Sequence, residues 1–485
     1  MKNIVLQQKA ERDMLASKDY QTRKEIANSE ALLDSGLIKL ITGPRRAGKS
    51  VFALQMLRGK NYAYLNFDDS SLLSRFEENA VMKALSEVYP GYEYLLLDEI
   101  QNLDGWDTWV TTLYRRGINL LITGSNANLL SSEMATLLTG RYVETLMLPF
   151  SMKETLQYTQ VNMQPQLPAE EAVLSNAMED YLKNGGYPEI VRAREIEQAY
   201  MGSLFDSIIL KDVAKRHKIR KTTELYDLAD YLITNYSNPL SYTGIAGDLN
   251  LGSVTTVKKF CKYLEEPYLF YFLPRFNRKL KEMKKADRKV YVVDTGFVLA
   301  RSLELSANSG RQLENMVFVE LLRRGFDIKK NELFYYHTAS GKEIDFVIKK
   351  GTKVDTLIQV AYEISKLKTR GRELDALVIA SDELKCNNLT LVTWDTDEQV
   401  NYKGKDIQII SARNWFLRKG VSQISQGRYN NASEVIRAGL RLLEDNESQV
   451  LALKKAIKEG LDSGIAEDFD PAAHLRTLKT AAHNG

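Results

Sequence analysis

Apolar positions in the first part of the chain fall into short continuous runs, separated by stretches in which apolar residues recur with helical spacing. Runs at residues 37–41, 62–67, 94–97 and 120–123 predict buried strands of a parallel sheet, because such strands are covered on both faces. From residue 151 to about residue 220 the spacing is mostly helical. This alternation predicts an α/β domain followed by a helical region.

The pattern changes in the second part of the chain. Two short amphipathic segments around a small-residue turn, at residues 241–264, precede an aromatic strand at residues 268–271 and indicate a winged helix-turn-helix. A second α/β unit is expected to begin at Lys289, with later strands at residues 343–348 and 357–361. The chain therefore combines at least two α/β units with a small helical module.

Length and composition limit the classes of protein to consider. A chain of 485 residues is too long for one core, and 44% hydrophobic with 27% charged residues is typical of soluble proteins. The net charge of +3 gives no strong nucleic-acid or membrane signal, and no apolar run is long enough to span a bilayer. Cys261 and Cys386 are far apart and lack metal-binding spacing, so we expect a cytoplasmic protein without a disulfide framework.

Residues 43–50 have the spacing G-x-x-x-x-G-K-S and stand between a predicted strand and a predicted helix. In this context backbone N–H groups and the positive end of the helix dipole bind phosphate oxygens. We expect Lys49 to reach the β- and γ-phosphates of ATP, and the Ser50 hydroxyl to bind Mg²⁺. A plain glycine turn is the alternative. The predicted nucleotide-binding residues are Gly43, Pro44, Arg45, Arg46, Ala47, Gly48, Lys49 and Ser50.

Polar residues end two other predicted strands. We expect Asp98 to hold Mg²⁺ through water and Glu99 to polarise the attacking water. A solvated acidic turn is the alternative, which the phosphate-binding loop earlier in the chain disfavours. Ser125 and Asn126 are candidate sensors of the γ-phosphate, unless Gly and Asn serve only to form a turn there. The predicted catalytic residues thus cluster at strand ends.

Arg141 is a further candidate, because it follows a predicted helix in a Gly-Arg-Tyr sequence. An arginine at such a position can stabilise the developing phosphate charge in its own or a neighbouring subunit. A structural surface arginine is the alternative.

These motifs, in this order and spacing, resemble the prokaryotic AAA+ ATPase family whose members carry a C-terminal domain of unknown function with a restriction-endonuclease-like core. They are G-P-R-R-A-G-K-S, L-L-L-D-E-I-Q, L-L-I-T-G-S-N and L-x-G-R-Y. Residues 184–189 match the family's G-G-[FY]-P-E, and the helix around residues 209–212 matches as well. The resemblance covers about residues 20–417 and also implies the winged helix.

The resemblance further implies a restriction-endonuclease-like site, in which an acid on a helix, an aspartate and an [E/Q]-x-K triplet bind Mg²⁺ and activate water. Glu314, Asp345 and Gln359 fill three of these positions, but Ala361 replaces the lysine of the triplet. The group that would orient and activate the nucleophile is therefore missing. We predict a degenerate, chemically silent site, with an active metal-dependent nuclease as the alternative.

Residues 423–444 are very similar to the ParD-type antitoxins of toxin–antitoxin modules. Asn431 is a good helix N-cap with Glu434 three residues later. The resemblance implies that residues 446–485 bind a ParE-like toxin, whereas the DNA-binding strand of a complete antitoxin is lacking, because the strand at residues 406–410 is assigned to the preceding domain. A plain helical hairpin is the alternative. Two apolar stripes have helical spacing: Val435, Ile436, Leu440 and Leu443, then Val450, Leu453, Ile457 and Leu461.

Pattern and resemblance together predict an α/β fold class with five parts. These are a P-loop AAA+ core with a parallel sheet at residues 1–150, a helical lid at 151–220, a winged helix-turn-helix at 221–288, a restriction-endonuclease-like α/β domain at 289–418 and an all-α antitoxin-like tail at 419–485.

The leading interpretation is an AAA+ protein that binds and hydrolyses ATP with Mg²⁺, and that binds a ParE-type toxin through its tail. One alternative is a non-enzymatic DNA- or toxin-binding regulator that uses ATP as a conformational ligand, and the other is a metal-dependent nuclease. DNA would be bound by the winged helix, which is followed by a basic cluster, although such modules also serve in packing. Homo-oligomerisation is a further expectation, and no membrane partner is expected.

Overall fold

The computed structural model describes residues 1–127, 141–302 and 308–417. Met1–Arg418 forms one compact unit, to which all the structure described below belongs. The predicted antitoxin-like segment at 419–485 lies outside the described residues, as does Gly140 of the L-x-G-R-Y motif.

Five parallel strands form the central sheet of the N-terminal part. They are β1 (Ile38–Thr42), β2 (Tyr62–Asn66), β3 (Tyr94–Asp98), β4 (Asn119–Gly124) and β5 (Tyr142–Leu146). Their order across the sheet is β2-β3-β4-β1-β5, with every neighbouring pair parallel. The four strands predicted from apolar runs are confirmed.

Helices cover both faces of this sheet. They are α1 (Lys2–Ala16), α2 (Ser29–Asp34), α3 (Lys49–Met56), α4 (Ser70–Leu73), α5 (Glu78–Val88) and α6 (Trp106–Arg115), with 3₁₀ turns at Lys24–Asn28 and Ile100–Asn102. Alternate residues of one strand enter different cores: Leu97 packs with Leu65 on one face, and Leu96 packs with Leu121 on the other. Because both faces are buried, the strands appear in the sequence as continuous apolar runs.

A helical region follows, as its spacing predicts. It contains α7 (Met152–Tyr158), α8 (Pro168–Asn184), α9 (Pro188–Arg192), α10 (Glu197–Ser207), a 3₁₀ turn at Arg194–Ile196 and a π-helix at Ile208–Lys215. A capping box begins α7, because Ser151 Oγ accepts from Glu154 N at 3.2 Å and Glu154 Oε2 accepts from Ser151 N at 2.8 Å. The π-helix is unusual in its eight-residue length, and π-helical segments occur often at functional sites.

A small three-stranded antiparallel sheet comes next, in the order β6-β8-β7. The elements are α11 (Thr222–Thr234), β6 (Pro239–Leu240), α12 (Tyr242–Asp248), α13 (Val254–Glu265), β7 (Phe270–Pro274), α14 (Leu280–Lys285), β8 (Arg288–Val292) and α15 (Gly296–Arg301). This arrangement corrects the boundary predicted at Lys289. The apolar run after Lys289 is β8, which pairs with β7 instead of beginning the next α/β unit. The segment that connects β7 to β8 contains the basic cluster. The sequence pattern alone does not show with which strand β8 pairs.

The last described part is a six-stranded mixed sheet in the order β13-β14-β12-β11-β10-β9. The strands β9 to β11 are antiparallel, whereas β11, β12 and β14 are parallel. The predicted strand at residues 406–410 is β14 and belongs to this sheet, as expected. The elements are α16 (Ser309–Arg323), β9 (Leu333–His337), β10 (Glu343–Lys350), β11 (Lys353–Val360), α17 (Leu367–Leu384), β12 (Leu389–Thr393), β13 (Glu398–Tyr402), β14 (Lys405–Ser411) and α18 (Ala412–Leu417).

Across the described ranges, no helix combines the length and the apolar character needed to cross a membrane.

Candidate nucleotide-binding site

The loop between β1 and α3 has a shape that its two glycines permit. Gly43 has a φ of 138°, and a Cβ atom built there would lie 2.0 Å from the carbonyl oxygen of Met147. Gly48 has a φ of 94° and is the N-cap of α3. Side chains other than hydrogen are therefore excluded at Gly43 and strained at Gly48. The loop leads directly into a helix N-terminus, which favours anion binding.

Lys49 is buried beneath this loop, with 3% of its surface exposed. Its ammonium donates a hydrogen bond to the Pro44 carbonyl oxygen at 3.0 Å and lies 3.4 Å from Glu99 Oε1. The two residues predicted to bind phosphate and to activate water thus form an ion pair in this structure.

Asp98 is the centre of a buried hydrogen-bond network. Ser50 Oγ donates to Asp98 Oδ1 at 2.8 Å, Tyr64 OH donates to Oδ2 at 3.2 Å, and the Thr123 hydroxyl also donates to Oδ1. Burial and the neighbouring Glu99 charge raise the pKa of Asp98 to about 6, although hydrogen bonds from Thr123 and Ser50 oppose this shift.

The oxygen atoms around Ser50 fit a magnesium ion. A hydroxyl and a carboxylate lie within hydrogen-bond distance of each other at the start of the helix that follows the loop. Mg²⁺ prefers such oxygen ligands and keeps several waters, so one or two protein ligands are sufficient. Ser50 and Asp98 are the residues that would hold it.

Glu99 follows β3 in a left-handed backbone conformation, with a φ of 50°. Its backbone N–H donates to Thr123 Oγ1 at 3.0 Å, and Ser125 Oγ donates to its Oε2 at 3.0 Å. Burial alone would raise the pKa of Glu99, but the Lys49 ammonium and hydrogen bonds from Gln101 and Ser125 outweigh burial and lower it. The carboxylate is therefore ionised at neutral pH.

Ser125 and Asn126 lie buried after the end of β4, so the structure brings both candidate sensors to the same sheet edge as the loop. The next residue is hydrogen-bonded to another part of the chain: Ala127 N donates to the Glu266 carbonyl oxygen, after α13, at 2.7 Å. A hydrogen bond thus connects the segment that follows β4 to the segment between α13 and β7.

Arg141 is not brought to the loop of its own chain. It precedes β5, where its carbonyl oxygen accepts a hydrogen bond from Ile38 N, and its guanidinium lies over the Tyr114 ring at 5.9 Å. Because β5 is parallel to β1, Arg141 lies at the amino edge of the sheet and the loop at the carboxyl edge. The five residues of β5 separate them by about 16 Å. A role in the same subunit is therefore not supported, and the role in a neighbouring subunit stays a prediction.

The two arginines of the loop itself have acidic partners in the helical region. Arg45 forms a two-pronged ion pair with Asp212 in the π-helix, with both N–O distances 3.1 Å. Arg46 of the same loop has an exposed side chain whose guanidinium lies 4.0 Å from the Glu189 carboxylate.

Sequence reasoning missed three further side chains that support the site. Thr123, Tyr64 and Gln101 contact the carboxylates of Asp98 and Glu99. Thr123 could have been predicted from the sequence, because it ends a predicted apolar strand next to the candidate sensors.

Arg23, near the start of the chain, could not have been predicted in this way. Its buried guanidinium donates to the carbonyl oxygens of Ala47 at 3.0 Å and Leu148 at 2.6 Å and pairs with Glu154 at 3.0 Å. This contact places the N-terminal segment behind the loop.

The three residues predicted for the nuclease-like site also come together. Gln359 Oε1 accepts from the Asp345 backbone N–H at 3.3 Å. The carboxylates of Glu314 and Asp345 contact one common ammonium, that of Lys289 on β8. Sequence reasoning did not connect Lys289 with these carboxylates, because β8 belongs to the three-stranded sheet.

Comparison with known proteins agrees with this architecture. A family model described as an AAA domain matches residues 35–156, and models described as domains of unknown function match residues 175–309 (DUF8612) and 309–415 (DUF4143). A model described as the bacterial antitoxin of the ParD toxin–antitoxin type II system and RHH matches residues 414–484.

The similar proteins match different parts of the chain. An uncharacterized protein of Methanocaldococcus jannaschii is 34% identical over 399 residues, covering 78% of this chain and 88% of the relative. Antitoxin ParD of Mycobacterium bovis is 46% identical over 63 residues, covering 13% of this chain and 76% of the antitoxin. A solved structure, the Walker-type ATPase of Pyrococcus abyssi, aligns with a TM-score of 0.38 and 16% identity over 59% of this chain and 96% of that one.

The parallel sheet and its glycine-rich loop define an AAA domain of the P-loop class. The chain belongs to the prokaryotic AAA family that carries a C-terminal domain of unknown function (DUF4143), here followed by a ParD antitoxin segment.

Proposed function

We propose that this chain binds Mg²⁺–ATP at the loop between β1 and α3 and hydrolyses it. One observation supports this proposal above all: at the carboxyl edge of the parallel sheet, Ser50 is hydrogen-bonded to Asp98, and Lys49 forms an ion pair with the adjacent Glu99. Each group has the chemistry that phosphoryl transfer to water requires.

The roles follow from the charges. Lys49 exchanges its Glu99 and Pro44 contacts for phosphate oxygens, which frees the Glu99 carboxylate. Glu99, ionised at neutral pH and oriented by Ser125, then positions a water and accepts its proton. Mg²⁺, when bound, neutralises phosphate charge, and Ser50 with Asp98 would hold it.

The module after the helical region is proposed to be a winged helix-turn-helix. Its element order, α11-β6-α12-α13-β7-α14-β8, supports this assignment, and basic residues lie between its last two strands. The hydrogen bond from Ala127 N to the Glu266 carbonyl oxygen offers a path by which the nucleotide state alters this module. Double-stranded DNA is therefore the first ligand to test as a regulator of turnover.

Phosphate release from Mg²⁺–ATP tests the enzymatic function. The full chain is expected to hydrolyse ATP at a rate that duplex DNA changes, if the winged helix contacts DNA phosphates. Binding of ATP without release of phosphate, with or without DNA, would favour the alternative in which ATP is a conformational ligand.

A second function is supported by the antitoxin match at residues 414–484. We propose that this segment binds a ParE-type toxin, as the resemblance to antitoxins implies. Toxin binding and ATP hydrolysis are compatible, because they require different parts of the chain.

Capture of a purified ParE-type toxin tests this second function. The full chain is expected to retain the toxin, and a chain ending at residue 417 is expected to lose it, while both hydrolyse ATP equally. Toxin retention by the shortened chain would place the binding surface elsewhere, and no retention by the full chain would reject the function.

A further inference from the structure

Lys289 is a buried lysine enclosed by three carboxylates. Its ammonium lies 2.7 Å from Glu314 Oε1, 2.7 Å from Glu343 Oε1 and 2.9 Å from Asp345 Oδ1. The side chain is 1% exposed. These four residues come from α16, β8 and β10, so the cluster joins the three-stranded sheet to the six-stranded sheet.

The hydrogen-bonding capacity of this ammonium is exhausted. A lysine has three N–H donors and no acceptor, and here each donor has a carboxylate oxygen within 3 Å. No N–H group remains to orient a water molecule or a phosphate oxygen. A lysine that serves hydrolytic chemistry needs such a free donor.

Each of the three carboxylates also has a second hydrogen-bond partner. Tyr291 OH donates to Glu314 at 2.7 Å. His337 Nε2 lies 2.7 Å from Glu343 Oε2. The Val360 backbone N–H donates to Asp345 Oδ2 at 2.9 Å. The three oxygens that face Lys289 are therefore held around a single point.

We propose that Lys289 is a built-in cation, whose ammonium occupies the point at which this nuclease-like site would otherwise bind a divalent metal. Lys289 thus does not take over the catalytic role of the lysine that Ala361 replaces. Instead, Lys289 fills the metal position, keeps the site closed to metal and ties the two sheets together.

Distances and burial support an ammonium over a metal. Separations of 2.7–2.9 Å are normal for charge-assisted N–H···O contacts, whereas Ca²⁺ requires about 2.3–2.6 Å and Mg²⁺ about 2.0–2.1 Å. A metal would also have to expel a fully buried charge into water.

Thermal unfolding of the full, nucleotide-free chain with and without Mn²⁺ tests this proposal. Lys289→Met keeps the length of the side chain but removes the ammonium, so it should open a metal position. We expect saturating Mn²⁺ to raise the Tm of Lys289→Met by about 5 °C and to leave the wild type unchanged. The gain should vanish in Lys289→Met/Asp345→Asn.

Lys39→Met is the matched control, because Lys39 is also buried but its ammonium contacts the Ser35 carbonyl oxygen at 2.7 Å instead of a carboxylate cluster. It should gain no Mn²⁺ response. A folded Lys289→Met that fails to respond to Mn²⁺, or a wild type whose response requires Asp345, would overturn the proposal.

Plasmid cleavage provides a measurement on the wild type that does not depend on the folding of Lys289→Met. The wild-type chain with Mg²⁺ or Mn²⁺ is expected to leave supercoiled plasmid intact. Cutting that Asp345→Asn abolishes would show that a metal enters the site of the wild-type chain, and would overturn the proposal.

Discussion

Lys49→Ala is expected to lower the affinity for ATP by about 100-fold or more, which corresponds to about 2.7 kcal/mol. The ammonium is buried at the base of the loop that is proposed to bind the phosphates. Alanine cannot supply that donor, and it also leaves the Glu99 carboxylate without its partner at 3.4 Å. Titration with a fluorescent ATP analogue measures the loss.

Lys60→Ala is the control for that change, since it removes an exposed lysine just after the same helix. It should bind ATP as the wild type does. Thermal unfolding must show that Lys49→Ala is still folded, because a buried carboxylate that loses its partner is destabilising. An affinity within threefold of the wild type in a folded Lys49→Ala protein would remove Lys49 from the phosphate site.

Glu99→Gln is expected to retain ATP and to lower the turnover rate by about 10²- to 10⁴-fold, the usual contribution of a general base. The amide has the same shape, and its oxygen can still accept from Ser125. It cannot accept a proton from water. Single-turnover phosphate release, measured beside ATP binding, separates the two effects.

Glu93→Gln is the matched control, because Glu93 is an exposed carboxylate immediately before the same strand, β3. Its turnover should equal that of the wild type. If Glu99→Gln hydrolyses ATP at the wild-type rate, another group must activate the water, and the role proposed for Glu99 is wrong.

The arrangement of the candidate nucleotide site could largely be predicted, because each of its parts is local in the sequence. A glycine-rich loop after an apolar strand has a definite backbone shape, and Asp98 and Glu99 follow a strand that must be buried. Parallel strands place their carboxyl ends at one edge of the sheet, so separate motifs meet there. The same rule explains the outcome for Arg141, which precedes its strand and therefore lies at the opposite edge.

Contacts between distant segments were not predictable in this way. Arg45 pairs with Asp212, and Arg23 pairs with Glu154, across 167 and 131 residues respectively. Neither pair leaves a pattern in the sequence, because any basic and acidic residues could have served. The helices that carry them must first be packed in three dimensions.

The nuclease-like site shows the same division most clearly. The resemblance to the restriction-endonuclease core implied Glu314, Asp345 and Gln359 as candidates, and the sequence shows directly that Ala361 stands where the triplet has its lysine. The cation that occupies the cluster comes from β8, which pairs with β7 in another sheet.

Local backbone geometry and hydrophobic periodicity thus establish the strands, the loop and the residues at the strand ends, because these depend on neighbours in the chain. The partner of Arg45, the contact of Arg23 with the loop, and the cation that faces the three carboxylates depend on the packing of distant elements. A buried charge needs a partner wherever the fold can bring one, and sequence separation does not restrict that choice.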